Sequence, residues 1–169
     1  MDFSELSKAR YSVRRFKSDQ VSDEDIAKIL AAAKVAPTAC NNQPQRIIAV
    51  KSEEGLRRIK KCTLCHFDAP LVFIIGYDKR LCWYREDGRN SGDVDAAIVT
   101  SHMMLEAADI GLGSTWVMLF DEKEIRKEFL PDENIVPVAL LPVGHPAEGV
   151  KPAHLHSEFR DEREIVSFE

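Results

Sequence analysis

The chain has 169 residues, of which 44% are hydrophobic and 30% are charged, and its formal net charge is −5. This length allows one well-buried core, and the composition is ordinary for a globular protein. The acidic balance argues against nucleic acid as a partner, and no apolar run approaches the roughly 20 residues that a membrane span needs. We therefore expect a single domain over residues 1–169 that binds neither nucleic acid nor membrane.

The N-terminus and the cysteines indicate a cytoplasmic protein. Residues 1–5 are polar and acidic and show no secretory signal, so the four cysteines are expected to be reduced. Cys62, Cys65 and His66 have the spacing of a haem-attachment string, a thiol redox pair or part of a metal site. No second C-x-x-C completes a tetrahedral zinc set. We favour two reduced side chains near a helix end and predict no metal site.

Residues 8–17 form a basic segment, which follows a short predicted helix over residues 2–9. Five of the ten residues in this segment are cationic, in an acidic chain. If the segment is extended, Arg10, Ser12 and Arg14 point to the same side. Two guanidinium groups and a hydroxyl suit a phosphate or another planar anion. The alternative is a solvated basic face without a ligand.

Ser22 marks the start of the first long helix. Its hydroxyl can cap the first-turn amides, and Asp25 can reach back as in a capping box. The helix ends before Pro37, because the residue preceding a proline is pushed out of the helical region. Apolar residues at helical spacing mark its buried face, namely Ile26, Ile29, Leu30 and Ala33.

The remaining pattern alternates between strands and helices. We predict strands over residues 46–51, 71–77, 115–119 and 135–143, and helices over residues 53–61, 93–110 and 121 to about 129. Pro137 and Pro142 argue that the last strand is an edge strand or is bulged. Residues 79–92, which include Trp83 and Tyr84, are predicted to be irregular, either as a mobile lid or as an exposed insertion.

The helix over residues 93–110 has an apolar stripe wide enough for burial on more than one side. This fits the central helix of a monomer or a helix in a dimer core. We interpret His102, which lies within this helix, as a satisfied core histidine. The stripe consists of Val94, Ala97, Ile98, Ser101, Met104, Leu105 and Ala108.

Two small-residue loops are candidate ligand contacts. Residues 37–44 would allow a flat ligand to approach the backbone, and the Asn42 amide offers both a donor and an acceptor. Glycines on both sides of Leu112 would let main-chain amides approach a ligand. Pattern alone favours an ordinary helix-to-strand connection for residues 37–44, and Gly111 alone would explain a tight helix-to-strand turn at the second loop.

Four motifs, taken in chain order, resemble the nitroreductase family of FMN-dependent oxidoreductases. They are Arg10-x-Ser12-x-Arg14, residues 36–39 with Asn42-x-Pro44, residues 111–113 before Trp116, and residues 137–146. The resemblance implies an α+β, three-layer α-β-α fold whose central, mostly antiparallel sheet is flanked by helices. It also implies an intertwined homodimer, with a C-terminal tail from about residue 148 to 169 extending to the partner subunit.

The resemblance further implies FMN as the cofactor and assigns a binding role to residues in all parts of the chain. Arg14 would lie near the N1–C2 edge of the flavin, and the 37–44 loop would come from the partner subunit. Relatives usually carry a phosphate-binding arginine shortly after the turn at residues 144–146, where this chain has histidines, which are weaker phosphate partners above a pKa of about 6.5, and its first tail arginine is Arg160. The implied binding residues are Arg10, Ser12, Arg14, Pro37, Thr38, Ala39, Asn42, Leu112, Gly113, Ser114, His154 and His156.

The implied activity is ping-pong hydride transfer from NAD(P)H to an oxidised small-molecule acceptor such as a nitroaromatic or a quinone. The sequence shows no Ser-His-Asp order, no H-E-x-x-H and no P-loop string, so we predict no catalytic side chain and expect the chemistry on flavin N5. The alternatives are a non-catalytic FMN-binding or flavin-delivery protein and a flavin enzyme of other chemistry, such as reductive dehalogenation or flavin fragmentation. An unrelated α/β protein that binds anions is the last alternative.

Overall fold

The computed structural model describes residues 2–169. Two 3₁₀ turns cover Ala39–Asn41 and His154–Ser157. The helices are α1 (Phe3–Ala9), α2 (Asp23–Val35), α3 (Glu53–Cys62), α4 (Gly92–Asp109), α5 (Glu122–Phe129) and α6 (Glu162–Ile165), and the strands are β1 (Gln45–Val50), β2 (Leu71–Asp78), β3 (Gly113–Ser114) and β4 (Ile135–Gly144).

The four strands form one antiparallel sheet in the order β1-β2-β4-β3. Strand β2 lies inside the sheet, and all eight of its residues are buried. Its side chains alternate between two cores. Leu71, Phe73 and Ile75 pack with α2 and α4, whereas Val72 and Ile74 pack with α3 and α5 on the opposite face. This confirms the predicted α+β, three-layer α-β-α fold.

Local chemistry explains where the helices begin. The Ser22 hydroxyl accepts from the Asp25 amide at 3.0 Å and donates to the Asp25 carboxylate at 2.7 Å. The Asp25 carboxylate therefore bonds to the Ser22 hydroxyl instead of to the Ser22 amide, which a capping box would have required. Asp121 caps α5 as predicted, accepting from the Lys123 and Glu124 amides. The predicted helix over residues 53–61 is also confirmed.

Strand β4 confirms the prediction of an edge or bulged strand, because it is bulged. Ile75 pairs with Ala139 and Gly76 with Pro137, so Val138 is the extra residue. The strand lies between β2 and β3. The Pro142 carbonyl accepts from the Thr115 amide, so it points towards β3. The N–H and C=O of one strand residue point to the same side, so the N–H that proline lacks would also face β3, which has only two residues. Proline is tolerated here because the adjacent ladder is so short.

The predicted strand over residues 115–119 is wrong. Regular pairing to β4 ends after Ser114, and only Val117 pairs again, with Leu140. The chain then turns towards the end of α3. The Thr63 hydroxyl donates to the Leu119 carbonyl at 2.5 Å, and the Asp121 amide donates to the Cys62 carbonyl at 2.7 Å. These contacts pull the segment away from the sheet.

The predicted stripe on α4 is not the face that packs on the sheet. The buried positions include Ala96, Val99, Met103 and Ala107, whereas the side chain of Val94 is 62% exposed. Apolar residues occur almost all round this helix, so periodicity could not select the core face. On α2, Leu30 is likewise 36% exposed, although Ile26, Ile29 and Ala33 are buried as predicted.

His102 lies at the margin of the core rather than inside it. It is half-buried, and its Nδ1 lies 3.0 Å from the Ile98 carbonyl oxygen one turn earlier. The prediction that His102 is a satisfied core histidine is therefore correct in that its ring has a hydrogen-bond partner, and wrong in that the side chain is only half-buried. Together with exposed and half-buried residues of the stripe, His102 belongs to an outer face of α4 that consists of Val94, Ala97, Ile98, Ser101, His102 and Leu105.

The tail forms no strand within the described part of the chain. The apolar residues at its end fall partly in α6, which contains Ile165, and Phe168 is 90% exposed. Within residues 2–169, none of the helices combines the length and apolarity that crossing a bilayer demands. The same residues hold no cluster of three metal-ligating side chains.

Candidate functional site

The basic segment runs extended along the end of the sheet. The Val13 amide donates to the Ser114 carbonyl at 3.0 Å, and Ser12 forms a parallel bridge to Ser114. Val13 is buried, so its neighbours Ser12 and Arg14 point away from the core. The predicted common orientation of Arg10, Ser12 and Arg14 is therefore consistent with the backbone course.

The arginines of the basic segment lack the carboxylate partners that several arginines elsewhere in the described chain have. Arg58 pairs with Glu128 at 2.6 Å, and Arg80 pairs with Asp78 at 2.6 Å. Within residues 2–169, no carboxylate forms an ion pair with Arg10, Arg14 or Arg15. Adjacent like charges without counter-ions repel one another and create a positive potential. This region is therefore suited to bind an anion from outside the chain.

The turn over residues 111–114 brings main chain against the basic segment. Gly111 adopts φ +82°, the left-handed conformation that ends α4. A Cβ on Gly113 would lie 2.6 Å from a methyl group of Val13, so only glycine permits this approach. Together with Arg10 and Tyr11, this turn lines a cavity of about 220 Å³. Leu112, Gly113 and Ser114 are thus placed beside the basic segment.

The tail adds a histidine to the same region. His156 Nε2 lies 3.0 Å from the Lys8 carbonyl oxygen. Its ring meets the edge of Tyr11, with 6.3 Å between ring centroids. Tyr11 also donates to the Val150 carbonyl at 3.5 Å. His156 is therefore held beside the basic segment, whereas the His154 side chain is exposed to solvent.

The 37–44 loop lies at the opposite end of α4. The Ala39 amide donates to Oδ1 of Asp95, in the first turn of α4, at 2.8 Å. Asp95 and Ala107 are twelve residues apart on this helix, so about 18 Å separates the two ends at 1.5 Å per residue. Within one chain, Pro37, Thr38, Ala39 and Asn42 are therefore remote from the basic segment.

The 37–44 loop is tightly shaped, which the sequence did not reveal. Cys40, Asn41 and Gln43 have φ values of 51°, 54° and 50°, a region that non-glycine residues rarely occupy. The Thr38 hydroxyl accepts from the Gln43 amide at 3.0 Å and closes the loop. Backbone in this conformation persists only where its surroundings hold it, and such positions cluster at ligand sites.

Sequence reasoning missed several polar residues around this loop. Asp95 is a carboxylate with 2% exposure, and Gln45 Oε1 is buried without a donor in the part of the chain that the structure describes. Asp95 shares the helical phase of Val99 and Met103, but the sequence did not show that this phase is the buried one. Gln45 gave no signal either, because only the packing shows that its oxygen is buried.

Asp78 anchors the other end of the loop. Its amide donates to the Pro44 carbonyl at 2.8 Å. Hydrogen bonds from the Arg80 guanidinium and amide lower the pKa of Asp78 to about 2. Arg46 adds a contact to the same carboxylate at 3.3 Å. This network is structural and fixes the junction of the loop, β1 and β2.

The cysteines near the end of α3 are in a setting that disfavours thiol chemistry. Cys62 is the last residue of α3 and is buried. Burial raises the pKa of the Cys62 thiol to about 11, so the thiolate that exchange requires is scarce at neutral pH. Cys65 is unbonded and half-buried. The preferred interpretation, two reduced structural side chains, agrees with this geometry.

Comparisons with known proteins match both the sequence and the fold. The nitroreductase family model matches residues 8–72 and 66–145. A Methanothermobacter thermautotrophicus protein, provisionally named NADH dehydrogenase/NAD(P)H nitroreductase, is 31% identical over 155 residues, covering 88% of this chain and 79% of its own length.

Solved structures agree over the full length of the chain. A nitroreductase family protein from Clostridium difficile 630 is 38% identical with a TM-score of 0.94, covering 100% of this chain and 99% of its own. An FMN-dependent nitroreductase from Clostridium difficile R20291 is 26% identical with a TM-score of 0.79, and 98% of each chain is covered. Since the matched ranges also contain the basic segment, the 37–44 loop and the glycine turn in the expected order, this chain belongs to the nitroreductase family.

Proposed function

We propose that the protein is an FMN-dependent NAD(P)H oxidoreductase that transfers hydride to an oxidised small-molecule acceptor, such as a nitroaromatic or a quinone, by a ping-pong cycle. The observation that carries this proposal is the group of unpaired cations beside a glycine turn. The names of the related proteins, an FMN-dependent nitroreductase and a provisional NAD(P)H nitroreductase, support the same activity.

The residues present fit the polar parts of FMN. Arg10 and Ser12 would hold the phosphate or the ribityl chain, since a guanidinium fork and a hydroxyl match phosphate oxygens. His156 would stand beside them, held by the Lys8 carbonyl. Arg14 would lie at the N1–C2 edge of the ring, where its guanidinium would stabilise negative charge.

FMN supplies the two-electron chemistry at its N5 when it is bound, and the chain supplies orientation and electrostatics. The Leu112 amide already donates to the Ala107 carbonyl at 2.8 Å. The family resemblance implies a main-chain donor to the ring from this neighbourhood, where Gly113 and Ser114 also pair with Gly144 and Ser12. The contact between Gly113 and Val13 fixes the position of that donor relative to the basic segment.

One chain provides only part of such a site. The cavity beside the basic segment has a volume of about 220 Å³, below the roughly 300–1,000 Å³ that is usual for ligand pockets. The 37–44 loop, which supplies Thr38 and Asn42, lies at the far end of α4. We infer that a second copy of the chain completes the site.

The outer face of α4 is the proposed contact between copies. It is mostly apolar, with Ser101 and His102 as polar members, and it borders a groove whose lining combines apolar residues such as Val35 with charged ones such as Lys28 and Glu106. A twofold axis across this face would run the two α4 helices antiparallel. The Asp95 end of one subunit would then meet the Ala107 end of its partner. This arrangement would place the 37–44 loop of each subunit over the basic segment of the other, with exposed tail residues such as Phe168 covered by the partner.

A visible spectrum followed by anaerobic titration tests the proposed function. Protein incubated with FMN and desalted should retain flavin absorbance, and NADH or NADPH should bleach it until an oxidised acceptor restores it. A protein that stays colourless would contradict the proposal. Retained flavin that neither nicotinamide reduces would favour the non-catalytic flavin-delivery alternative instead.

A further inference from the structure

We propose that Asp95 is a positioning residue that ties the 37–44 loop to the segment carrying Trp83, so that the two segments move as one. The inference depends on the proposed function, because only that function gives the loop a cofactor to contact. The hydrogen bonds that carry it all lie within one chain.

Asp95 has the features of a tether rather than of an ordinary helix residue. Its carboxylate is buried, and within residues 2–169 no cation forms an ion pair with it. Burying a carboxylate without a cation is unfavourable unless donors satisfy its oxygens. Two donors do so, the Ala39 amide at 2.8 Å on Oδ1 and the Ser91 hydroxyl at 2.6 Å on Oδ2. Each carboxylate oxygen is therefore committed to a different segment.

Ser91 passes the connection on to Trp83. The Ser91 hydroxyl accepts from the Trp83 amide at 3.2 Å, and the Ser91 amide donates to the Trp83 carbonyl at 2.9 Å. Beyond Trp83 the segment closes as a small hairpin, in which Tyr84 pairs with Asn90 and the Arg85 amide donates to the Arg89 carbonyl at 2.8 Å. Residues 83–91 are thus an ordered hairpin fixed at its base.

The loop needs such a tether because its own backbone is unfavourable. The left-handed residues Cys40 and Asn41 directly follow Ala39, whose amide is held by Asp95. Without that bond, the loop would lose the contact that holds its backbone next to these left-handed residues. The hairpin carries the exposed rings of Trp83 and Tyr84, at 42% and 51% exposure. The tether therefore fixes two aromatic rings relative to a loop proposed to cover the flavin.

Hydrogen exchange on the full-length protein, with and without FMN, tests the tether directly. Asp95→Ala should speed exchange in peptides covering residues 38–43 and 83–91 on the order of tenfold, which is the factor for one lost hydrogen bond. Ser91→Ala should do the same in the loop, although Ser91 does not touch it. Asp95→Asn keeps an acceptor for the Ala39 amide and should restore most of the protection in the loop.

Kinetics and a matched control separate positioning from simple destabilisation. Ser91→Ala should raise KM for the acceptor several-fold and change kcat little, and the FMN dissociation constant should rise with it. The control is Ser52→Ala, which also removes a serine from a helix N-cap position. The Ser52 hydroxyl accepts only from the Gly55 amide, at the start of α3. This variant should leave the exchange of both peptides and KM unchanged.

The outcomes distinguish this inference from the proposed function. Loop exchange that is unchanged in Asp95→Ala and Ser91→Ala, or that rises equally throughout the chain, would overturn the tether. Faster exchange confined to the two peptides supports it even in the absence of FMN. A protein that shows this pattern but never binds FMN would contradict the proposed function alone.

Discussion

At the scale of single residues, charge pairing separates structural arginines from candidate binding arginines. Arg58 and Arg80 are held by carboxylates at 2.6 Å and have defined roles in packing. Arg10 and Arg14 face away from the buried Val13 without such partners in the described chain. An unpaired guanidinium has its full hydrogen-bonding capacity available for an external anion.

Arg14→Ala should therefore weaken FMN binding. Loss of a charge-assisted hydrogen bond costs about 1.5–3 kcal/mol, which corresponds to a roughly 10- to 100-fold higher dissociation constant. Removing the cation should also shift the flavin reduction potential. Fluorescence titration and anaerobic redox titration measure the two effects. Arg57→Ala removes an arginine whose nearest carboxylate oxygen, on Glu53, is 3.8 Å away, and it should change neither quantity. Equal values for both variants would refute the role of Arg14.

Asp78 is expected to make the free energy of unfolding depend on pH in the acidic range. Its pKa is lowered to about 2 by Arg80, whereas an ordinary aspartate has a value near 3.8. A group with a lowered folded-state pKa stabilises the protein above its unfolded-state pKa, and this contribution is lost as pH falls through the folded-state value. Asp78→Asn should reduce the free energy of unfolding at pH 7 by about 1–3 kcal/mol. The difference from the unmodified protein should shrink between pH 4 and pH 2.

Urea denaturation at several pH values measures this effect. The conservative control is Asp87→Asn, since Asp87 pairs with Arg85 in the exposed hairpin and exposed pairs contribute little. That variant should unfold nearly like the unmodified protein at every pH. A stability loss for Asp78→Asn that stays constant from pH 7 to pH 2 would show that the carboxylate charge is not the cause.

At the scale of elements, the ranges of most helices and strands were predictable from periodic or continuous apolar patterns. The helices α2, α3 and α5 and the strands β1 and β2 occur within a residue or two of their predicted ranges. The core face of α4 was not predictable, because apolar residues surround it. The strand predicted after Ser114 fails because hydrogen bonds from the end of α3, which no local pattern encodes, redirect the chain.

The candidate site likewise contains residues that the sequence predicts and residues that only the folded structure reveals. The basic segment and the glycine turn were predictable from charge and from residue size, and the fold places them side by side. Asp95 and Ser91 were not, because their importance comes from hydrogen bonds between segments that are distant in sequence. The backbone angles of Cys40 and Asn41 were also invisible, since neither residue type requires a left-handed conformation.

The contact between the glycine turn and the basic segment yields a prediction at this scale. Gly113→Ala would put a methyl group 2.6 Å from the buried Val13 side chain, so one of the two elements must shift. Overpacking of this kind costs about 1–3 kcal/mol. We expect a lower midpoint in denaturant and weaker FMN binding, because the main-chain donor moves with the turn.

A double-mutant cycle identifies the cause. Val13→Ala removes the methyl groups that the new Cβ would meet, so the double variant should be more stable than the sum of the two single effects predicts. FMN affinity should recover in the same direction. Additive losses in the double variant would mean that the contact with Val13 is not what requires glycine at this position.

At the scale of the whole molecule, the predicted site residues fall into two groups at opposite ends of α4. Arg10, Arg14 and Gly113 form one group, and Thr38 and Asn42 form the other, about 18 Å away along the helix. Intrachain geometry alone gives no reason for this separation. A second copy packed on the outer face of α4 would give one, since each site would then be assembled from both groups.

Mixing two defective subunits tests this arrangement. Arg14→Ala and Asn42→Ala should each weaken FMN binding in homodimers, because every site then lacks one group. A heterodimer with one subunit of each kind would carry both substitutions in one site and neither in the other. Differently tagged subunits, co-expressed and purified through both tags, should therefore bind FMN tightly at about half of their sites. Each homodimer purified in the same way serves as the control. If both groups acted within one chain, every site of the heterodimer would remain defective, and no tight binding would return.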